Sequence, residues 1–127
     1  MKRILLSPPH QTGRESDYFE QTLQQNWLAP GGPNVINFEK QLSRVLANRP
    51  IVAVQSGTAA LHIALRLAGV TSGDSVICQS LTFAATAFPI TYMGAIPIFI
   101  DSESQTWNLC PDVLEQVLKK YAARNKL

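Results

Sequence analysis

Phe19, Leu23 and Trp27 recur at every fourth position, with Tyr18 beside them. That spacing predicts one apolar helix face over residues 15–27. It stops at Ala29-Pro30-Gly31-Gly32-Pro33, the strongest loop signal in the chain. A second helix is predicted over 34–47, with Val35, Phe38, Leu42, Val45 and Leu46 on one face and Asn34 as its N-cap. Ahead of both lies an extended arm, where Pro8 and Pro9 exclude helix and push Ser7 toward β or polyproline geometry.

The texture changes after Pro50. Ile51-Val52-Ala53-Val54 is a short apolar run bounded by Gln55-Ser56-Gly57, which predicts a buried strand. Residues 58–67 are rich in Ala and Leu and predict a helix, with Gly69 at its stop. Thr71-Ser72-Gly73-Asp74 predicts a turn and residues 75–78 a second strand. A helix over 82–93 ends at Gly94, and a third strand over 97–100 ends at Asp101. Pro111 opens a final amphipathic helix over 112–123. Strands alternating with helices predict the α/β class, with βαβ units and mainly parallel strands.

Composition narrows the class. In 127 residues, hydrophobic residues make up 46% and charged residues 16%, which excludes a chain disordered by composition. The apolar stretches are too short for a transmembrane helix, and Ile4-Leu5-Leu6 is too short for a secretory core before Ser7-Pro8-Pro9. The net charge of +2 points to no nucleic-acid partner. Lys119, Lys120, Arg124 and Lys126 read as a solvated helix face. Cys78 and Cys110 form no metal or redox spacing, so no metal site is expected. A cytoplasmic domain with free thiols follows.

Two strand-to-helix turns carry the candidate chemistry. In Val54-Gln55-Ser56-Gly57-Thr58, a helix N-terminus presents free backbone N–H groups and a favourable dipole to an anion. Gly57 lets a ligand approach the backbone, and Ser56 and Thr58 add hydroxyls. Phosphate binding and simple capping by Thr58 are both open on this segment alone. The second turn, Ser80-Leu81-Thr82-Phe83, again follows a strand, and Phe83 is either a stacking platform for a flat ligand or a core residue. Ligands of open parallel sheets bind beyond the carboxyl ends of the strands, where both turns and Asp101 fall. His62 reads as a packed helix residue, and His10 as an arm residue without an assigned role.

Five blocks in order give these turns a family context. They are Asn26-Trp27-Leu28 with Gly32-Pro33 and Phe38-Glu39; Ser56-Gly57-Thr58-Ala59-Ala60-Leu61-His62; Gly73-Asp74-Ser75-Val76-Ile77; Thr82-Phe83-Ala84-Ala85-Thr86; and Gly94-Ala95-Ile96-Pro97-Ile98-Phe99-Ile100-Asp101. Together they resemble the N-terminal third of the DegT/DnrJ/EryC1/StrS aminotransferases, pyridoxal-phosphate enzymes that aminate keto-sugar nucleotides. Ser75 departs from the usual Glu, a surface change. The resemblance implies the large domain of a fold-type I aminotransferase, here residues 1–50 as arm and two helices and 51–127 as β-α-β-α-β-α, without the C-terminal half and the small domain. It implies that Gly57 and Thr58, with Ser56 nearby, bind the phosphate of pyridoxal 5′-phosphate, and that Phe83 stacks on its ring. Leu6-Ser7-Pro8-Pro9-His10 resembles the branch that makes 4-amino derivatives of UDP-N-acetylhexosamines for surface glycans.

The same resemblance defines what is missing. The chemistry needs a Schiff-base lysine and an acidic partner for the pyridinium nitrogen. Lys2, Lys40, Lys119, Lys120 and Lys126 do not stand in the family's Ser-x-x-x-x-Lys context, and no Asp-Ala-Ala-Gln block is present. No catalytic residue is therefore expected in the chain. The implied enzyme transfers an amino group, from a donor such as glutamate, to a UDP-4-keto-6-deoxy-N-acetylhexosamine and works as a homodimer. The competing expectation is a truncated remnant or dimerising module without activity, and a third is an unrelated nucleotide-binding α/β domain. Residues 51–54 would lack their sheet neighbour, which predicts poor solubility, swapping or partial order.

Overall fold

The computed structural model describes residues 3–122. These residues pack as two units, divided between Ala53 and Val54.

The first unit contains α1 (Glu15–Gln24) and α2 (Pro33–Val45). α1 starts at a carboxylate clasp. Glu15 accepts the Thr12 N–H at 2.8 Å, the Thr12 hydroxyl at 2.9 Å and the Gly13 N–H at 2.9 Å. α1 ends before Trp27, short of the predicted boundary, because Asn26 takes a left-handed φ of 51°. Trp27 then folds back over buried Gly32, where a Cβ would lie 2.1 Å from the indole Cδ1. Only glycine fits there. Gly32 also occupies the N-cap of α2, with Pro33 in the first turn. The predicted cap, Asn34, lies inside the helix, and its Nδ2 donates to the Thr22 hydroxyl at 2.9 Å.

Residues 51–54 do not form the predicted buried strand. Val52 is exposed, and the run enters no ladder among the described residues. A strand exists only through its neighbours' hydrogen bonds, and here the Ala53 N–H goes instead to the Glu39 carboxylate at 2.8 Å.

The second unit contains α3 (Gly57–Leu67), β1 (Ser75–Gln79), α4 (Phe88–Tyr92), β2 (Ile96–Ile100) and α5 (Pro111–Ala122). Gly69 and Gly73 adopt positive φ where α3 stops and the chain turns into β1. β1 and β2 pair in parallel, from Ser75 opposite Ile96 to Gln79 opposite Ile100, as the βαβ pattern requires. The predicted helix over 82–93 is broken into a 3₁₀ turn at Ala84–Thr86 and the short α4. Pro89 explains the break: it has no N–H for an i−4 carbonyl and is tolerated only in a first turn. Cys78, Ile90 and Ala95 form the core, flanked by Leu65, Val70, Val76, Ala87 and Met93. Ile100 is buried as well. Much apolar surface stays open, including Leu67, Ile96 and Phe99. The basic cluster lies partly outside the described residues, at Arg124 and Lys126. Within them, Lys119 pairs with Glu115 at 2.5 Å on an exposed face of α5.

Candidate functional site: two turns and a sheet edge

α3 begins with an open N-terminus. Ser56 is its N-cap in extended conformation, and its Oγ accepts the Ala59 N–H at 3.2 Å. The Ala60 N–H bonds to the Ser56 carbonyl at 3.1 Å. These two bonds leave the amides of Gly57 and Thr58, the first in the helix, without a partner among the described residues. Capping by Thr58 is thereby replaced by capping from Ser56. A Cβ built on Gly57 meets nothing within 4 Å, so the first turn faces open space. Two free amides, a glycine and the positive end of an eleven-residue helix make a cradle that fits a phosphate.

Phe83 lies in the segment that leaves β1. It is 82% exposed, which removes the core-residue alternative. It precedes the 3₁₀ turn at Ala84–Thr86, and that turn packs against α3. The structure thus brings the two turns onto neighbouring elements of one unit. The Thr82 and Thr86 hydroxyls meet at 2.9 Å across the 3₁₀ turn. His62 of α3 packs edge-on against Tyr92 of α4, with ring centroids 5.8 Å apart, as a packed helix residue should.

The parallel register puts the carboxyl ends of β1 and β2 side by side, and the Ser80 N–H extends the ladder to the Ile100 carbonyl at 2.8 Å. Beyond this edge lies an open depression of about 390 Å³, lined in part by Ser80, Leu81, Asp101, Glu103 and Trp107. Asp101 lines this depression and also orders the chain leaving β2, since its Oδ1 accepts the Ser102 N–H at 2.8 Å.

The loop after β2 was not legible from sequence reasoning. Gln79, at the end of β1, donates its side-chain amide to the Ser102 hydroxyl at 2.7 Å and the Trp107 carbonyl at 2.6 Å. The Thr106 hydroxyl and the amides of Gln105 and Thr106 converge on Glu103 and hold its carboxyl down to about 2. The polar run Ser102-Glu103-Ser104-Gln105-Thr106 was the available signal, since Glu followed by Thr three residues on suits a side-chain-closed turn. Glu39, whose carboxylate accepts the Ala53 N–H at 2.8 Å, carried no such signal.

Among the described residues, no three His, Cys, Asp or Glu side chains group as a metal site, and no helix is long and apolar enough to cross a membrane. The cysteines are unpaired, and burial pushes the Cys78 thiol up.

Comparison with known proteins gives the chain a family. The chain is 54% identical over 124 residues to EpsN of Bacillus subtilis (strain 168), assigned as a pyridoxal phosphate-dependent aminotransferase, covering 98% of this chain and 32% of that protein. It is 36% identical over 116 residues to a GDP-perosamine synthase of Escherichia coli, covering 91% and 32%. It therefore spans about a third of the length of these curated relatives. Its fold superposes with a TM-score of 0.80 on a Streptococcus pneumoniae protein assigned as a sugar aminotransferase and solved with pyridoxal and pyridoxamine phosphates, at 35% identity and covering 91% of this chain and 29% of that one. The family match runs over residues 9–124 and includes both turns. The chain belongs to the DegT/DnrJ/EryC1/StrS aminotransferase family.

Proposed function

We propose that this chain is the N-terminal portion of the large domain of a pyridoxal-phosphate sugar aminotransferase and supplies part of its cofactor site. The carrying observation is the first turn of α3, where the Gly57 and Thr58 amides are free and a Cβ on Gly57 would meet only open space. In this reading those amides, with the Ser56 and Thr58 hydroxyls, hold the cofactor phosphate. Phe83, exposed on the segment after β1, stacks on the cofactor ring. When bound, the cofactor acts as an electron sink for amino-group transfer. The lysine and the acidic group that complete such a site come from polypeptide outside these residues.

The substrate we infer is a keto-sugar nucleotide. The supports are the perosamine synthase among the relatives and the arm sequence Leu6-Ser7-Pro8-Pro9-His10. A UDP-4-keto-6-deoxy-N-acetylhexosamine is the specific candidate, with glutamate as donor and a homodimer as the working assembly. Work in the cytoplasm follows from such substrates.

Titration of the purified chain with pyridoxal 5′-phosphate, followed by borohydride reduction and peptide mapping, tests this. Phosphate-dependent binding without a lysine adduct at a unique position is the expected result. A unique adduct at Lys40 or Lys119 would overturn the assignment of the lysine to other polypeptide. Absence of phosphate-dependent binding would favour a remnant or dimerising module.

A further inference from the structure

Thr82 and Thr86 stand on either side of Phe83 and are joined around it. The Thr86 N–H donates to the Phe83 carbonyl at 2.8 Å, and the Thr82 and Thr86 hydroxyls share a hydrogen bond at 2.9 Å. Together the two bonds bracket the backbone before and after Phe83. The bracket is anchored in both directions within the second unit. Upstream, the Thr82 N–H donates to the Ser80 carbonyl at 3.1 Å, and the Ser80 N–H to the Ile100 carbonyl of β2 at 2.8 Å. Downstream, Thr86 is half-buried at the end of the 3₁₀ turn, which packs against α3 and α4. Phe83 itself is extended, with φ −69° and ψ 139°, and its side chain is exposed. Neighbouring side chains therefore do not hold the ring, and the bracketed backbone sets the direction in which it projects.

We propose that Thr86 is a positioning residue for the cofactor ring that acts through Phe83: its hydroxyl, paired with that of Thr82, fixes where the exposed aromatic projects. Thr86 does not itself touch the ligand. An exposed ring carried on a loose segment loses that freedom when it stacks, and the loss weakens binding. A bracket closed before the ligand arrives removes part of this cost. Threonine suits the task for two reasons. A hydroxyl both donates and accepts, so two of them pair whichever supplies the proton. The branched Cβ also restricts χ1, which keeps the hydroxyl in place. The proposal rests on the reading of Phe83 as the stacking residue, and the experiment separates the two.

The full chain and its Thr86→Val, Thr86→Ser, Thr82→Val and Phe83→Ala variants, with the Thr86→Val, Phe83→Ala double variant, are titrated and followed by amide NMR shifts. The probes are 4-deoxypyridoxine 5′-phosphate, which has the ring but no aldehyde to react with lysines, and inorganic phosphate. Thr86→Val keeps the shape and the backbone N–H and loses the hydroxyl. Affinity for the ring probe should fall roughly three- to tenfold, the range that one neutral hydrogen bond sets, with affinity for inorganic phosphate unchanged. Thr82→Val removes the same bond from an exposed position and should give the same loss, so the test stands even if Thr86→Val does not fold. Thr86→Ser keeps the hydroxyl and should bind as the parent chain does. In the Phe83→Ala background, Thr86→Val should cost nothing further, because its effect passes through the ring. A loss of the same size in that background would overturn the proposal. So would an equal loss for both probes, or parent affinity in Thr86→Val. If Phe83→Ala binds the ring probe as the parent chain does, the stacking reading itself fails, and the positioning role fails with it.

Discussion

Gln79 and Trp107 are 28 residues apart in sequence, yet the Gln79 side-chain amide donates to the Trp107 carbonyl at 2.6 Å. The same nitrogen reaches the Ser102 hydroxyl at 2.7 Å. One side chain at the end of β1 therefore pins both ends of the loop that follows β2. The loop carries its own strain, because Trp107 sits at a φ of 63°. Replacing Gln79 with Leu leaves the Ser102 and Trp107 groups without their donor. The expected cost is about 1 kcal/mol. Protection of the Cys110 amide, which bonds to the Asp101 carbonyl at 3.0 Å, should fall with it. Hydrogen exchange at Cys110 that matches the parent chain would contradict this account.

The cap of α3 allows stability and ligand binding to be separated. Ser56→Ala removes the Oγ acceptor for the Ala59 N–H and should cost about 1 kcal/mol of stability. Ser56→Asp restores an acceptor and favours the helix dipole, yet brings a negative charge to the proposed phosphate site. Its expected signature is stability near that of the parent with much weaker binding of a phosphate ligand. Thermal unfolding and calorimetric titration on the three proteins read the two effects independently.

Gly57 makes a sharper case. A Cβ there meets nothing within 4 Å, so Gly57→Ala should leave stability unchanged or raised by up to about 1 kcal/mol, since alanine is the better helix former. Gly57→Val adds bulk exactly where a phosphate would approach the amides. Phosphate affinity should fall from Gly to Ala to Val while the melting temperature moves little. Parallel losses of stability and affinity would mean that Gly57 is needed by the fold instead.

Phe83 is 82% exposed and contributes little to the core. Phe83→Ala should therefore change stability by less than about 0.5 kcal/mol, as for other surface sites. Affinity for a pyridine-ring ligand should drop, whereas affinity for inorganic phosphate should not. A large stability loss would assign Phe83 to packing.

The loop after β2 should loosen in acid. Glu103 is held at about 2, from an ordinary value of 4.5, chiefly by the Thr106 hydroxyl and the Gln105 amide. A carboxyl lowered in the folded state stabilises it fully above about 4.5, and that contribution is lost as pH falls toward 2. The Thr106 amide resonance should follow this protonation, and Glu103→Gln should abolish the response. A midpoint at the ordinary carboxylate value would show that the turn is not closed by Glu103.

The elements most legible in the sequence were those whose signals are local. The four-residue spacing of Phe19, Leu23 and Trp27 located α1, and Ser56-Gly57-Thr58 located the start of α3. The β-α-β alternation anticipated the parallel pairing of β1 with β2. Errors arose where one residue outweighed a window. Pro89 split a predicted helix, Asn26 ended another early, and Gly32 displaced Asn34 as the cap because Trp27 covers it. Residues 51–54 had the composition of a strand but not the partners.

By itself, the sequence determined the α/β class, the family blocks, and the two turns at the heads of helical segments. Backbone propensity, hydrophobic period and helix-terminus chemistry act over a few residues and are written in neighbouring letters. Only the tertiary structure decided that Phe83 faces outward, that Gln79 ties down the loop after β2, and that Glu39 takes the Ala53 amide. Each depends on groups many residues apart meeting within hydrogen-bond distance or failing to cover one another. No local pattern encodes such a meeting, because burial and hydrogen-bond satisfaction are settled by the whole packed chain.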